Sequence, residues 1–218
     1  MKNKLLKIFA GFSIVALLVA CGKDKPVTSE SNEVLTKTDG VQYKVDTMNS
    51  RVEWKGYKVL KSDQTTHFGT IQFESGDITV KEGKLQSGKF VADINTLENI
   101  DLKDNQEMKT KLEGHLKSTD FFEVEKFPTA SYEITKVTET KSGDYNTLIE
   151  GNLTIKGITK PVQFKANVTV ANGNVSIATE PTDINREDYG LNFEIPFENG
   201  LLNKSINLQV LIKAMESK

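Results

Sequence analysis

His115 stands in "GHLKSTDFFEVEKFPTASYEI", close to Phe121, Phe122 and Phe127, and is one of two histidines in the chain. An imidazole can move a proton, hold a metal or hydrogen-bond a ligand. A zinc site needs three or four His, Cys, Asp or Glu ligands at recognisable spacings. Neither His67 nor His115 lies in an HxH or HExxH arrangement, and the single cysteine is Cys21, near the amino terminus. No serine sits in a G-x-S-x-G elbow. A Ser-His-acid triad is recognised by geometry, so composition does not exclude one. The carboxylates of "GKFVADINTLENIDLKDNQE" fall in a charged turn and helix start, where solvation accounts for them. No glycine-rich phosphate loop occurs; the glycines are scattered as turn and bulge residues. The expectation is a protein that is not an enzyme and carries no metal or cofactor.

The elements that position these residues begin after an export signal. Lys2, Lys4 and Lys7 precede an apolar core over residues 8–20, which ends in Leu18-Val19-Ala20-Cys21. That core is short for a membrane span and right for a secretory signal. The ending resembles the lipobox of bacterial lipoproteins, in which the cysteine is acylated and becomes the new amino terminus. Residues 1–20 are therefore expected to be removed, and Cys21 to carry a lipid anchor such as palmitate. Residues 21–40 are polar and are expected to form a disordered tether. Residues 41–218 form the folded domain, which has no disulfide and must rely on a large core. Removing Lys2, Lys4 and Lys7 and no acids takes the formal charge from −2 to −5. A mildly acidic surface disfavours nucleic acid as a partner.

From Val41 onward the pattern is alternation, the mark of strands with one buried face. Val52 and Trp54 share a face, as do Ile71 and Phe73, then Phe90, Ala92 and Ile94, then Tyr132 and Ile134, then Leu153 and Ile155. "PVQFKANVTV" alternates over five apolar positions, Asn172-Gly173 predicts a type I′ hairpin, and "SINLQVLIKA" closes the series. Eight or more strands with short turns predict an all-β antiparallel barrel or sandwich. One helix interrupts them in "DNQEMKTKLEGHLKS". Asp104 and Glu107 have capping-box spacing, and Met108, Leu112 and Leu116 form a narrow stripe. In "DFF", an extended chain would send Phe121 and Phe122 to opposite faces. "KGITKP" is expected to place Gly157 and Pro161 around one turn, and Phe127-Pro128 to open a strand.

"HLKSTDFF", "KFPTASY", "IEGNLTIKGITKPVQFKANV" and "INREDYGLNF" follow one another in an order that resembles the YceI-like polyisoprenoid-binding family. "YKVDTMNSRVEWKGYKV" and "THFGTIQFESGDI" resemble its first strands, so the likeness covers about residues 42–215. The resemblance implies a lipocalin-like up-and-down β-barrel of about eight strands with one inserted helix. It also implies an apolar tunnel that holds a polyisoprenoid, either an isoprenoid quinone or a polyprenyl phosphate. Tunnel candidates are Trp54, Phe73, Phe90, Ile94, Leu112, Phe121, Phe122, Tyr132 and Phe164. His115 is expected to satisfy backbone groups where the helix ends, or else to meet a ligand head group, and His67 to be an exposed or strand-end residue. Arg186 is one of two arginines. It is expected to close the barrel against Asp188 or a backbone carbonyl, or to meet a head group. Gly22 after Cys21 favours the outer membrane, facing the periplasm, in a Gram-negative envelope. A filled-barrel scaffold and a hydrolase using His115 are the alternatives, and a homodimer stays open.

Overall fold

The computed structural model describes residues 31–34, 39–60, 63–141, 143–195 and 200–217. The signal segment and Cys21 lie outside the described residues, as does most of the segment read as a tether. The strands are β1 (Val41–Val45), β2 (Arg51–Leu60), β3 (Asp63–Lys81), β4 (Lys84–Asn99), β5 (Thr129–Glu139), β6 (Thr147–Ile155), β7 (Ile158–Ala171), β8 (Asn174–Thr179), β9 (Thr182–Asn185) and β10 (Gly200–Glu216). The helix α1 (Gln106–Lys117) lies between β4 and β5, and a short 3-10 helix, Arg186–Tyr189, follows β9.

Every pairing is antiparallel, and the path β10-β2-β3-β4-β5-β6-β7-β8 returns to β10. The ten strands fill eight lanes. β1 and β2 share one lane, since β10 and β3 flank both. β8 and β9 share another, both paired with β10. The result is a closed up-and-down antiparallel barrel, and closure leaves no edge row of unpaired backbone groups around most of its girth.

The two ends differ. At one end, which we call the β1 end, short turns join the strands. Glu82-Gly83 and Asn172-Gly173 both have positive φ at two successive residues, the geometry of a type I′ hairpin. Lys156-Gly157 makes the same turn at the opposite end, between β6 and β7. Pro161 is therefore not part of that turn; it pairs with Asn152 inside β7. Because β8 pairs β7 only from Ala166 onward, a residue without an N–H loses no ladder bond on that side. The other end, the helix end, carries α1, the turns of residues 118–127 and the 3-10 helix.

The helix cap lies one residue beyond the expected one. Asn105 rather than Asp104 is the N-cap, and its side chain accepts from the Met108 N–H at 3.1 Å. The stripe divides as well: Met108 is 47% exposed, while Leu112 and Leu116 turn inward. Asn32, within the segment read as a tether, lies against β6. Its N–H donates to Asn152 Oδ1 at 2.9 Å, and its carbonyl accepts from Asn152 Nδ2 at 2.7 Å.

The candidate lipid cavity

The inward faces of the strands are filled at the β1 end. Tyr43, Ile78, Val80, Leu85, Ile134 and Val175 pack there, each at most 5% exposed. Above this plug the barrel is hollow. A cavity of about 450 Å³ extends from Phe164, Ile177 and Ile212 to Tyr57, Lys58 and Leu202 at the helix end. That size falls in the range of ligand pockets.

All nine apolar residues singled out in the sequence line this one cavity: Trp54, Phe73, Phe90, Ile94, Leu112, Phe121, Phe122, Tyr132 and Phe164. Strand parity explains most of them, since alternate residues of one strand face one side. Two glycines make the remaining room. A side chain at Gly69 would meet the Glu98 carbonyl and the Trp54 ring, so the bare backbone leaves the indole its slot. A Cβ at Gly151 would sit 2.4 Å from Tyr132 Cζ and 2.6 Å from the Glu133 carbonyl oxygen. The Tyr132 hydroxyl lies 3.0 Å from the Val162 carbonyl oxygen and 3.3 Å from that of Ile149, and its ring meets Phe164 edge-on at 5.4 Å. Burial raises its pKa strongly, so it stays a neutral donor.

Phe121 and Phe122 do not part to opposite faces. Both line the cavity, with ring centroids 5.2 Å apart. The segment is a set of turns, not a strand. The N–H of Phe121 reaches Ser118 O, that of Phe122 reaches Leu116 O, and Glu123 takes a φ of 51°. Alternation needs extended backbone, and local hydrogen bonds remove it here.

His115 is corrected too. The side chain that satisfies the backbone at the end of α1 is that of Ser118, whose hydroxyl and N–H both donate to the His115 carbonyl. The imidazole instead lines the cavity, edge-on to Phe193 at 4.4 Å, and its Nε2 is buried without a partner. His67 is neither exposed nor at a strand end. It lies within β3, half-buried at the cavity wall, with Nδ1 2.8 Å from Asp101 Oδ2. The other Asp101 oxygen accepts from the Phe68 N–H and from Asn99 Nδ2. Burial works against the Asp101 charge, but those donors and His67 together hold its carboxyl below the usual aspartate range.

Arg186 is 2% exposed. Its guanidinium donates to the carbonyls of Leu191, Leu202 and Asn203 and lies 3.8 Å from Glu187 Oε1. Asp188 is not its partner; that carboxylate accepts from Asn185 Nδ2 at 2.9 Å. A fork-shaped donor thus fastens the strand-free segment after the 3-10 helix to the start of β10. Sequence reasoning missed Phe193 and Ile195, which line the cavity, although Leu191, Phe193 and Ile195 alternate. Among the described residues, no cluster of three or more His, Cys, Asp or Glu is placed to hold a metal ion.

An eight-lane barrel, one helix over its end and an apolar interior now stand together, and the model of the YceI-like domain matches residues 43–214. The chain belongs to the YceI-like family. It is 30% identical to Protein YceI of Salmonella arizonae over 174 residues, covering 77% of this chain and 73% of that one. It is 27% identical to a UPF0312 protein of Pseudomonas putida, covering 81% and 88% respectively. Two solved structures share the YceI-like fold. BcnA of Burkholderia cenocepacia superposes with a TM-score of 0.59 at 16% identity, over 78% of this chain and 99% of that one. A polyisoprenoid-binding domain from Saccharophagus degradans superposes with a TM-score of 0.53 at 12% identity, over 81% and 99%.

Proposed function

We propose that the chain binds one long apolar lipid of the polyisoprenoid class inside the barrel, as a carrier or sequestering protein held on a membrane by lipidated Cys21. The observation that carries the reading is the cavity. It lies inside a barrel that packs its other end solid, and aromatic and aliphatic side chains dominate its wall. A prenyl chain is nearly insoluble in water, and each buried CH₂ is worth about 0.8 kcal/mol. A protein that moves such a chain must enclose it. The described polyisoprenoid-binding domain of the same fold supports this choice of ligand class.

The hollow interior weighs against a filled scaffold. Binding rather than catalysis also fits the histidines: His67 serves Asp101, and the neighbours of His115 are aromatic rings. The anchor rests on Leu18-Val19-Ala20-Cys21, and Gly22 favours the outer membrane. Two or more acyl chains would hold the protein there durably.

Mass spectrometry of an organic extract from natively purified protein tests the ligand. A prenyl lipid near one per chain is expected, and a folded sample with a clean extract would overturn the reading. Cys21→Ser tests the anchor: the variant should move from the membrane fraction to the soluble one.

A further inference from the structure

Phe68, Ile100, Met108 and Leu201 are large apolar residues that stand exposed at the helix end. None of the four belongs to the cavity wall, so a ligand inside the barrel does not account for them. Phe68 follows the cavity residue His67 in β3 and faces the other way. Ile100 directly follows β4, and its N–H donates to the Phe68 carbonyl at 3.0 Å. A tight turn, closed by Lys103 N–H to Ile100 O and Asn105 N–H to Leu102 O, then leads into the first turn of α1 and Met108. Leu201 lies at the start of β10 beside Leu202, a residue of the cavity rim.

Apolar residues scattered over a surface need no account, but these stand where the cavity opens. Exposed lysines accompany them. Lys55 is the cross-strand partner of Phe68, and Lys103 is bonded through its backbone to Ile100. Asp101, between Ile100 and Lys103, turns inward to His67 at 2.8 Å and keeps its charge off the rim. Large apolar side chains with lysines around them are the mixture that a membrane interface takes. The β1 end also exposes Val41 and Met215, but exposed ion pairs, Lys81–Asp39 and Lys84–Glu139, flank its β3–β4 turn, and its interior is closed.

We infer that the helix end docks on a lipid bilayer, with Phe68, Ile100, Met108 and Leu201 entering its interface, so that a bound lipid passes between barrel and membrane without crossing water. This rests on the lipid-binding and anchor readings above. Two observations commit the occupant to a bilayer. The first is the one-sided opening. The plug of Tyr43, Ile78 and Val80 leaves the helix end as the way in, and each CH₂ exposed to water on the way would cost about 0.8 kcal/mol. The second is where the anchor segment meets the barrel. Asn32 is held by both ends of the Asn152 carboxamide. Asn152 is three residues from Ile155, at the helix end of β6, and five from Thr147 at the other. Cys21 precedes Asn32 by eleven residues, at most about 40 Å of chain. An acylated Cys21 is thus within reach of a bilayer laid on the helix end. The chain is acidic overall, so the contact is apolar in character and should persist in high salt.

The test uses the chain purified from membranes and reconstituted into vesicles of phosphatidylethanolamine and phosphatidylglycerol with brominated acyl chains. Cys21 is the single cysteine, so once it is acylated an introduced thiol alone takes a bimane label. Bimane at Ile100→Cys should be quenched at least about threefold more strongly than bimane at Met215→Cys, which marks the β1 end. Equal quenching at the two sites, or stronger quenching at 215, would overturn the inference. Loading gives a second readout. Trp54 is the single tryptophan and lines the cavity, so energy transfer from it follows a fluorescent geranylgeranyl lipid from the vesicle into the barrel. Phe68→Ser with Ile100→Ser should slow that loading about tenfold and leave the amount bound at equilibrium unchanged, while Met215→Ser changes neither. An unchanged rate in the double variant would overturn the inference and leave lipid binding standing. A chain that takes up no lipid would remove the lipid-binding reading, and the quenching would still decide which face meets the bilayer. A chain that leaves the vesicles would overturn the anchor and the docking face together.

Discussion

The β1 end and the helix end of the barrel are built from the same strands but put to different uses. At the β1 end, Ile78 and Ile134 are fully buried, and tight type I′ turns join β3 to β4 and β7 to β8. At the helix end the connections lengthen into α1, the turns of 118–127 and the segment after Tyr189. α1 has no fully buried residue. Ile184, Tyr189 and Leu191 pack into a second buried cluster there, but the interior beside it is left open. The β1 end is thus filled across its whole interior, while the helix end keeps open space beside its packed cluster. A barrel of eight strands has just enough width to do either.

Truncations should separate the two ends. Ile134→Ala removes three carbons from a site with no exposure, and about 3–4 kcal/mol of unfolding free energy should be lost in denaturant titration. Ile206→Ala, at the half-buried cavity wall, should cost only about 1–2 kcal/mol because its side chain already faces a void. Equal losses would break the contrast.

Arg186→Leu comes next. It strands three carbonyls at the helix end, and about 2–4 kcal/mol should be lost. Hydrogen exchange should show the opening confined to residues 186–195 and the start of β10. An opening that reached β1 would mean the two ends are not separable.

Gly151→Ala should cost about 1–3 kcal/mol, since its methyl would collide with Tyr132 and the Glu133 carbonyl. Tyr132→Phe in the same chain should not relieve it, because the clash involves ring and backbone. A thermal melt of the single and double variants checks this.

The smallest effect is set by pH. Asp101 has a depressed carboxyl, so its contribution is full above the ordinary aspartate pKa and is lost as pH falls through the lower, folded value. Acid below about pH 4 should loosen residues 99–102 and the α1 attachment through Asn99 and Glu113. Asp101→Asn should flatten that dependence in an exchange experiment run against pH.

The sequence made the barrel legible because a half-buried strand writes its buried face into every second residue. That is why Phe73, Phe90 and Phe164, on three strands, could be assigned to one interior. It made α1 legible through Leu112 and Leu116, but Asn105 and Asp104 are both good caps, and spacing could not choose between them. What it hid depends on contacts distant in the chain or on local turns. The pairing of β8 with β10, which closes the ring, joins Ala178 to Leu211, and no local pattern marks it. The His67–Asp101 pair spans 34 positions. The turns after Ser118 overrode the alternation that "DFF" would show in a strand, and so placed both rings on one side. Phe193 was within reach of alternation but lies in a segment without a strand partner, held by Arg186 instead.

The central claim is that the space at the helix end exists to be filled by a lipid. A Cβ added at Gly56, on the cavity wall of β2, would meet nothing within 4 Å. Gly56→Phe should therefore plug the cavity without disturbing the fold. Native mass spectrometry of the two chains side by side is the direct measurement. The account predicts that the unaltered chain carries one bound prenyl lipid and that the equally folded Gly56→Phe chain carries none. An unaltered chain at its bare mass, or a plugged variant that keeps the same lipid, would contradict it.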